Sequence, residues 1–272
     1  MFYLLLSIVS SVLIGNLLKL FQKDKNSSIY LILLSNYFVA SLISFFQLNG
    51  VKVTFNLFDI IFAIFIGILY FLNFVIYDKN IKENGISLSI SIMRVSLVIP
   101  LILSIFLFKE KFTINLCVGV ILIIIAFMLM GNLKGKISLF LIFLLFLNTG
   151  ISDAGLKIFE VFGKNNISFF LFILFLSAFL INLIVFLIRD KKFYFKSILY
   201  GFFVGIPNQF MSYFFIKSLK QVQASVAYPL LGGGVVLGGI LTDIIFWKAR
   251  PNLKQYIIFF LLIVGVIFLN LK

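Results

Sequence analysis

Ten apolar runs, each of roughly 20 residues, follow one another through the chain with only short polar breaks between them. A run of that length crosses a ~30 Å hydrocarbon core as a helix, and inside such a core the backbone must satisfy its own hydrogen bonds. The runs fall near residues 2–21, 28–47, 57–76, 84–108, 113–131, 137–158, 167–188, 195–216, 222–246 and 254–271. In 272 residues they leave about 70 for loops and ends, too few for an extramembrane catalytic or ligand-binding domain. The expected fold is an all-α membrane protein with ten transmembrane helices, multi-pass in a cell membrane. The first run lacks a basic start and a small-residue cleavage site, so it reads as a retained helix.

Composition supports this and removes other classes. With 62% hydrophobic and 12% charged residues, the chain is far from the roughly one quarter charged residues of soluble domains. Its formal net charge of +14 comes from Lys and Arg placed mainly between the apolar runs, where they act as topology signals. No nucleic-acid partner is therefore expected. There is no His, and the single Cys117 lies inside an apolar run, so disulfides, zinc sites and Cys/His nucleophile pairs have no residues to form from. No cofactor and no metal are expected, and the chain does not read as an enzyme. The 37 Phe, beside abundant Ile, Lys and Asn, fit an AT-rich coding bias, so Phe by itself carries no functional meaning.

The runs repeat. At an offset of 138 residues Lys19 meets Lys157, Phe21 meets Phe159, Ile29 meets Ile167, Gly67 meets Gly205, Lys79 meets Lys217, Ser87 meets Ser225 and Phe108 meets Phe246. Charged breaks coincide as well. The chain thus reads as two copies of five spans, residues 1–135 and 136–272. An odd number of crossings puts the copies in opposite orientations, an arrangement typical of secondary transporters.

The stretch Asn84-Gly85-Ile86-Ser87, then Arg94, Pro100, Phe108-Lys109-Glu110-Lys111 and Gly119, resembles the end of an EamA repeat of the drug/metabolite transporter superfamily. That resemblance covers the whole chain and implies ten helices in two inverted five-helix repeats, with the third, fourth, eighth and ninth helices bordering a central cavity. Two departures place the chain on a divergent branch. Lys248 takes the position of Glu110 in the second copy, and Pro100 stands about three residues nearer Glu110 than in the commonest pattern.

Polar groups at membrane depth should face protein or a wet cavity. On the fourth span Asn84, Ser87, Ser91 and Arg94 fall within about 80° of one another at ~100° per residue. Tyr70, Asn73 and Tyr77 share a face of the third span; Gln209, Ser212 and Tyr213 share one on the eighth; Gln221, Ser225 and Tyr228 follow on the ninth. The candidate substrate-binding set is Arg94, Ser87, Ser91, Tyr70, Asn73, Gln209, Ser212, Tyr213, Ser225 and Tyr228.

Arg94 lies ~15 Å into its span, near the midplane, where a guanidinium costs at least ~2.5–3.5 kcal/mol unless water or a partner relieves it. Two readings stand: a fork for a carboxylate or phosphate, or a structural cation tied to carbonyls or to an intramembrane acid. The Tyr residues likewise read either as an aromatic wall or as interhelical hydrogen bonders. Asp153 reads either as a proton-coupling acid or as the partner of Lys157 four residues on, and the pair is preferred. Asp243 and Trp247 read as interfacial. Gly232-Gly233-Gly234 lacks the residues of a phosphate loop, and Gly234 with Gly238 reads as a helix-packing face. Pro207 and Pro229 act as kinks or are simply tolerated.

The leading expectation is a secondary transporter moving a small polar or amphipathic metabolite by alternating access through a central cavity. A channel or a non-transporting membrane assembly protein is the alternative, and an integral membrane enzyme a more distant one. The partners implied are a small-molecule substrate and the lipid bilayer, with a monomer as an open oligomeric state. For orientation, basic residues number 8 on the face of the N-terminus and 14 on the other, Arg94 excluded, which puts the termini outside. The resemblance implies cytoplasmic termini, and that orientation is preferred.

Overall fold

The computed structural model describes residues 1–21, 27–111, 113–131, 138–189, 193–248, 250 and 252–270; the side chains of Ile86, Ser87, Arg189 and Asn270 are outside this set. Among the described residues there are eleven helices and no strand: α1 (Phe2–Phe21), α2 (Ile29–Phe46), α3 (Leu57–Asn84), α4 (Ile86–Val95), α5 (Val98–Phe106), α6 (Ile114–Met130), α7 (Leu139–Phe162), α8 (Ile167–Arg189), α9 (Phe195–Leu219), α10 (Ala224–Ile245) and α11 (Leu253–Asn270). Seven helical stretches are long and apolar enough to cross a membrane, counting Leu88–Phe106 as one; Ile114–Met130 and Leu253–Leu269 are shorter apolar helices. The chain has the build of a multi-pass helical membrane protein.

Two spans differ from their sequence reading. The third continues eight residues past its expected end at 76, to Asn84. Its charged extension is held as helix by the Lys82–Asp78 pair, 2.6 Å apart at i,i+4, and by Asn84 Nδ2 donating to Asn80 Oδ1 at 2.9 Å. The fourth span is broken into α4 and α5. Pro100 has no N–H for the Ser96 carbonyl, which accepts instead from Ile99 N three residues on, at 2.9 Å. The break puts Pro100 in the first turn of α5, where a missing donor costs little. By contrast α9 and α10 run through Pro207 and Pro229 without interruption.

Helix starts recur in register. α2 and α8 begin at Ile29 and Ile167, α3 and α9 at Leu57 and Phe195, α4 and α10 at Ile86 and Ala224, each pair 138 apart. After α5 and α10 the register slips by one. Lys109 and Lys248 share a left-handed backbone, φ 53° and 50°, so Lys248 corresponds to Lys109. The position answering to Glu110 is then Ala249, which lies outside the described residues, and not Lys248 as the ungapped alignment had it.

The helices pack as two compact units, each drawing on both halves of the sequence. One comprises residues 1–71 and 158–218. Here α2 lies along α8, and Gly201 and Gly205 bring α9 against α2: a Cβ at Gly205 would come 2.7 Å from the Asn36 carbonyl. This small-xxx-small pair escaped the sequence reading. The core centres on Phe170, Leu171, Leu174 and Phe175, all fully buried, with Phe159 stacked on Phe170 at 3.9 Å. Asp59, also fully buried, accepts from the backbone N–H groups of Lys164 and Asn165 and so ties the turn before α8.

The second unit comprises residues 72–157 and 219–272. α6 packs on α11 through glycine, a Cβ at Gly119 meeting the Gly265 carbonyl at 2.8 Å. α10 closes on α5 and α6 at Gly232, where a Cβ would lie 2.6 Å from Leu97 Cδ1 and 3.0 Å from Phe127 Cζ. The Glu110 carboxylate accepts from Ala224 N and Ser225 N, both at 2.8 Å, and caps α10.

Candidate functional site

The ten sequence candidates divide between the units. Tyr70, Gln209, Ser212 and Tyr213 belong to the first; Asn73, Ser87, Ser91, Arg94, Ser225 and Tyr228 belong to the second.

In the first unit Gln209 is fully buried; its Nε2 donates to Gln47 Oε1 at 2.9 Å and its Oε1 has no partner. One turn on, the buried Ser212 hydroxyl is also unpartnered. Spacing of three residues puts both on one helix face, as the sequence implied. Tyr213 turns elsewhere: Lys217 Nζ stands 5.6 Å from its ring and 4.5 Å from that of Tyr3. Tyr70 is half-buried; its backbone carbonyl accepts from Tyr37 at 3.3 Å and its ring meets Phe175 edge-on.

In the second unit several candidates carry interhelical bonds. The Ser91 hydroxyl donates to the Phe127 carbonyl of α6. Asn73 Oδ1 accepts from Thr149 on α7 at 2.7 Å. Tyr228 is fully buried, and its hydroxyl donates to the Asp153 backbone carbonyl at 2.6 Å, which fixes that turn of α7. Ser225 offers a buried hydroxyl with no partner. The side chain of Ser87 lies outside the described residues.

Arg94 sits near the end of α4, one turn before the Pro100 break, and is half-buried. It lines a narrow crevice whose other walls, including Leu97, Leu101, Ile123, Phe127 and Pro229, are apolar. Among the described residues its side chain makes no hydrogen bond and no contact ion pair. Its charge is felt by two groups, Asp153 on α7 and Tyr77 on α3. The expected Asp153–Lys157 pair is not formed among the described residues. Lys157 turns to the end of α9, where it donates to the Leu219 carbonyl at 3.3 Å and lies 5.6 Å from the Phe108 ring. A helix C-terminus leaves carbonyls without intrahelical donors, which suits a cation. The sequence reading left Asp153 out of the candidate set because a local i,i+4 pair was at hand.

The fold and these residues define a multi-pass helical membrane protein with an arginine inside its helices that makes no hydrogen bond or contact ion pair among the described residues. No family model matches the chain, and no curated protein matches it. A solved structure described only as that of a protein has the same fold, with a TM-score of 0.82 over 99% of this chain and 98% of the other at 13% identity. At that identity the likeness speaks for the fold alone.

Proposed function

We propose that the chain is a secondary transporter of the EamA type, two inverted five-helix repeats in a cell membrane that move a small polar or amphipathic metabolite by alternating access. The observation that carries this reading is Arg94: a cation at mid-span, half-buried, beside a crevice and without a hydrogen-bond acceptor. A structural Arg at that depth would have its donors satisfied, because the alternative costs several kcal/mol. The recurrence of helix starts at 138 supports the repeat, and five crossings per copy are the reason for reading it as an inverted one.

The reaction needs no enzyme chemistry and no cofactor; the partners are a solute with an anionic group and the bilayer. Metabolite profiles of cells with and without the protein supply candidate solutes. Purified protein in proteoliposomes should then give flux that saturates and is accelerated by solute on the far side. Non-saturating conductance without counterflow would replace the carrier by a channel. Arg94→Lys should reduce transport per folded molecule by roughly tenfold or more at normal abundance, since it keeps the charge and loses the planar fork. A fall in abundance with unchanged specific transport would make Arg94 structural.

A further inference from the structure

We infer that the N-terminus of α4 binds an oxyanion from outside the chain, a phosphate or a carboxylate, where α10 has Glu110. The anion would bind whether or not the chain moves a solute. All the groups concerned belong to the second compact unit. α10 begins at Ala224, and the Glu110 carboxylate accepts from its first two N–H groups, Ala224 N and Ser225 N, at 2.8 Å each. α4 begins 138 residues earlier, at Ile86. Its first three N–H groups, those of Ile86, Ser87 and Leu88, have no carbonyl to reach within the helix. The N-cap residue is Gly85, which has no side chain to accept from them. Among the described residues no acceptor is found on the Leu88 N–H. The residue that answers to Glu110 is Ala249, so the sequence places no carboxylate at that register.

The surroundings of this helix start favour an anion. Asn80 of α3 is fully buried against it, Oδ1 accepting from Asn84 Nδ2 at 2.9 Å and from Ser89 Oγ at 3.2 Å. The Asn80 Nδ2 has no acceptor, which leaves a buried side-chain donor beside the same turns. Gly85 stands in open space, since a Cβ there would meet nothing within 4 Å. The α10–α11 connection, which carries Ala249, ends close by. Lys254, early in α11, donates to the Gly131 carbonyl at 3.1 Å, and a Cβ at Gly131 would lie 3.3 Å from Leu88 Cδ1. Lys248 and Arg250, both exposed, flank Ala249. A helix N-terminus carries roughly half a positive charge, and cations beside it deepen the potential that draws an oxyanion in. α4 follows the charged end of α3 and so starts at the polar surface of the membrane. A lipid phosphate and a soluble phosphate present the same oxygens there.

Thermal unfolding of the purified full-length chain in nanodiscs tests this, with inorganic phosphate replacing chloride at fixed pH and ionic strength. In phosphatidylcholine nanodiscs phosphate should raise the unfolding midpoint saturably, by about 2–4 °C. A249E, which supplies the missing carboxylate, should raise the midpoint similarly in chloride and cancel the phosphate response; A249Q should leave that response in place. K248Q/R250Q alters exposed side chains only, so it tests the site even if A249E fails to fold. It should weaken the apparent phosphate affinity by about threefold or more. Nanodiscs containing phosphatidylglycerol separate the two sources: a raised midpoint with no further phosphate response identifies a lipid phosphate as the occupant, and a response that persists identifies a soluble anion. No saturable response to phosphate or to the anionic lipid would overturn the inference. So would a full phosphate response in folded A249E protein, its equal loss in A249Q, or unchanged affinity in K248Q/R250Q.

Discussion

α4 with α5, and α10, begin 138 residues apart and handle their polar groups in opposite ways. α10 runs unbroken through Pro229, has its first N–H groups held by Glu110, and carries Gly232 at the position that answers to Arg94. Gly232 lets the helix close on Leu97 and Phe127. The other stretch starts after Gly85 with no side-chain cap, breaks before Pro100, and carries Arg94 without an acceptor. The position answering to Asp153 is Gly15, so neither charge has a charged counterpart. Span length repeats because the bilayer sets it for both copies. Charge does not repeat, because a buried charge is tolerated only where something answers it.

The sharpest way to break the contrast is Gly232→Arg, which puts the α4 cation on α10. A side chain there meets Leu97 and Phe127 within 3.0 Å, and overpacking of ~1–3 kcal/mol adds to an insertion cost of ~2.5–3.5 kcal/mol. Little folded protein should accumulate, as read by size-exclusion yield in mild detergent. A smaller loss, about 1–2 kcal/mol, is expected from Glu110→Ala, which leaves two N–H groups of α10 uncapped; thermal unfolding in detergent measures it. Pro100→Ala should change stability by less than ~1 kcal/mol, since the proline already sits in a first turn. The new amide at position 100 should nevertheless give slow hydrogen exchange if the break closes, and fast exchange if Gly150, packed against the Ser96 carbonyl, keeps it open. Ser225→Ala should be the mildest, within ~0.5 kcal/mol of neutral or slightly stabilising, because it removes a buried hydroxyl that has no partner. A clear loss in the unfolding midpoint would show that the hydroxyl is used.

The sequence by itself determined the helical class, the ten-run layout and the 138-residue recurrence. Each is local to a span: apolar length against bilayer thickness, and backbone groups that bond within their own helix. It also placed Gln209 with Ser212 on one face, because helix periodicity alone decides that. Where a long-range contact competed with a local one, the local rule failed. Lys157 four residues from Asp153 looked like its partner, yet the α9 carbonyl of Leu219 drew the lysine. Tyr228 read equally as wall or tether until its hydroxyl was found on the Asp153 carbonyl, 75 residues away. Such choices belong to the tertiary structure, because deep in the spans few acceptors are at hand, and which one a donor reaches depends on how helices distant in sequence cross.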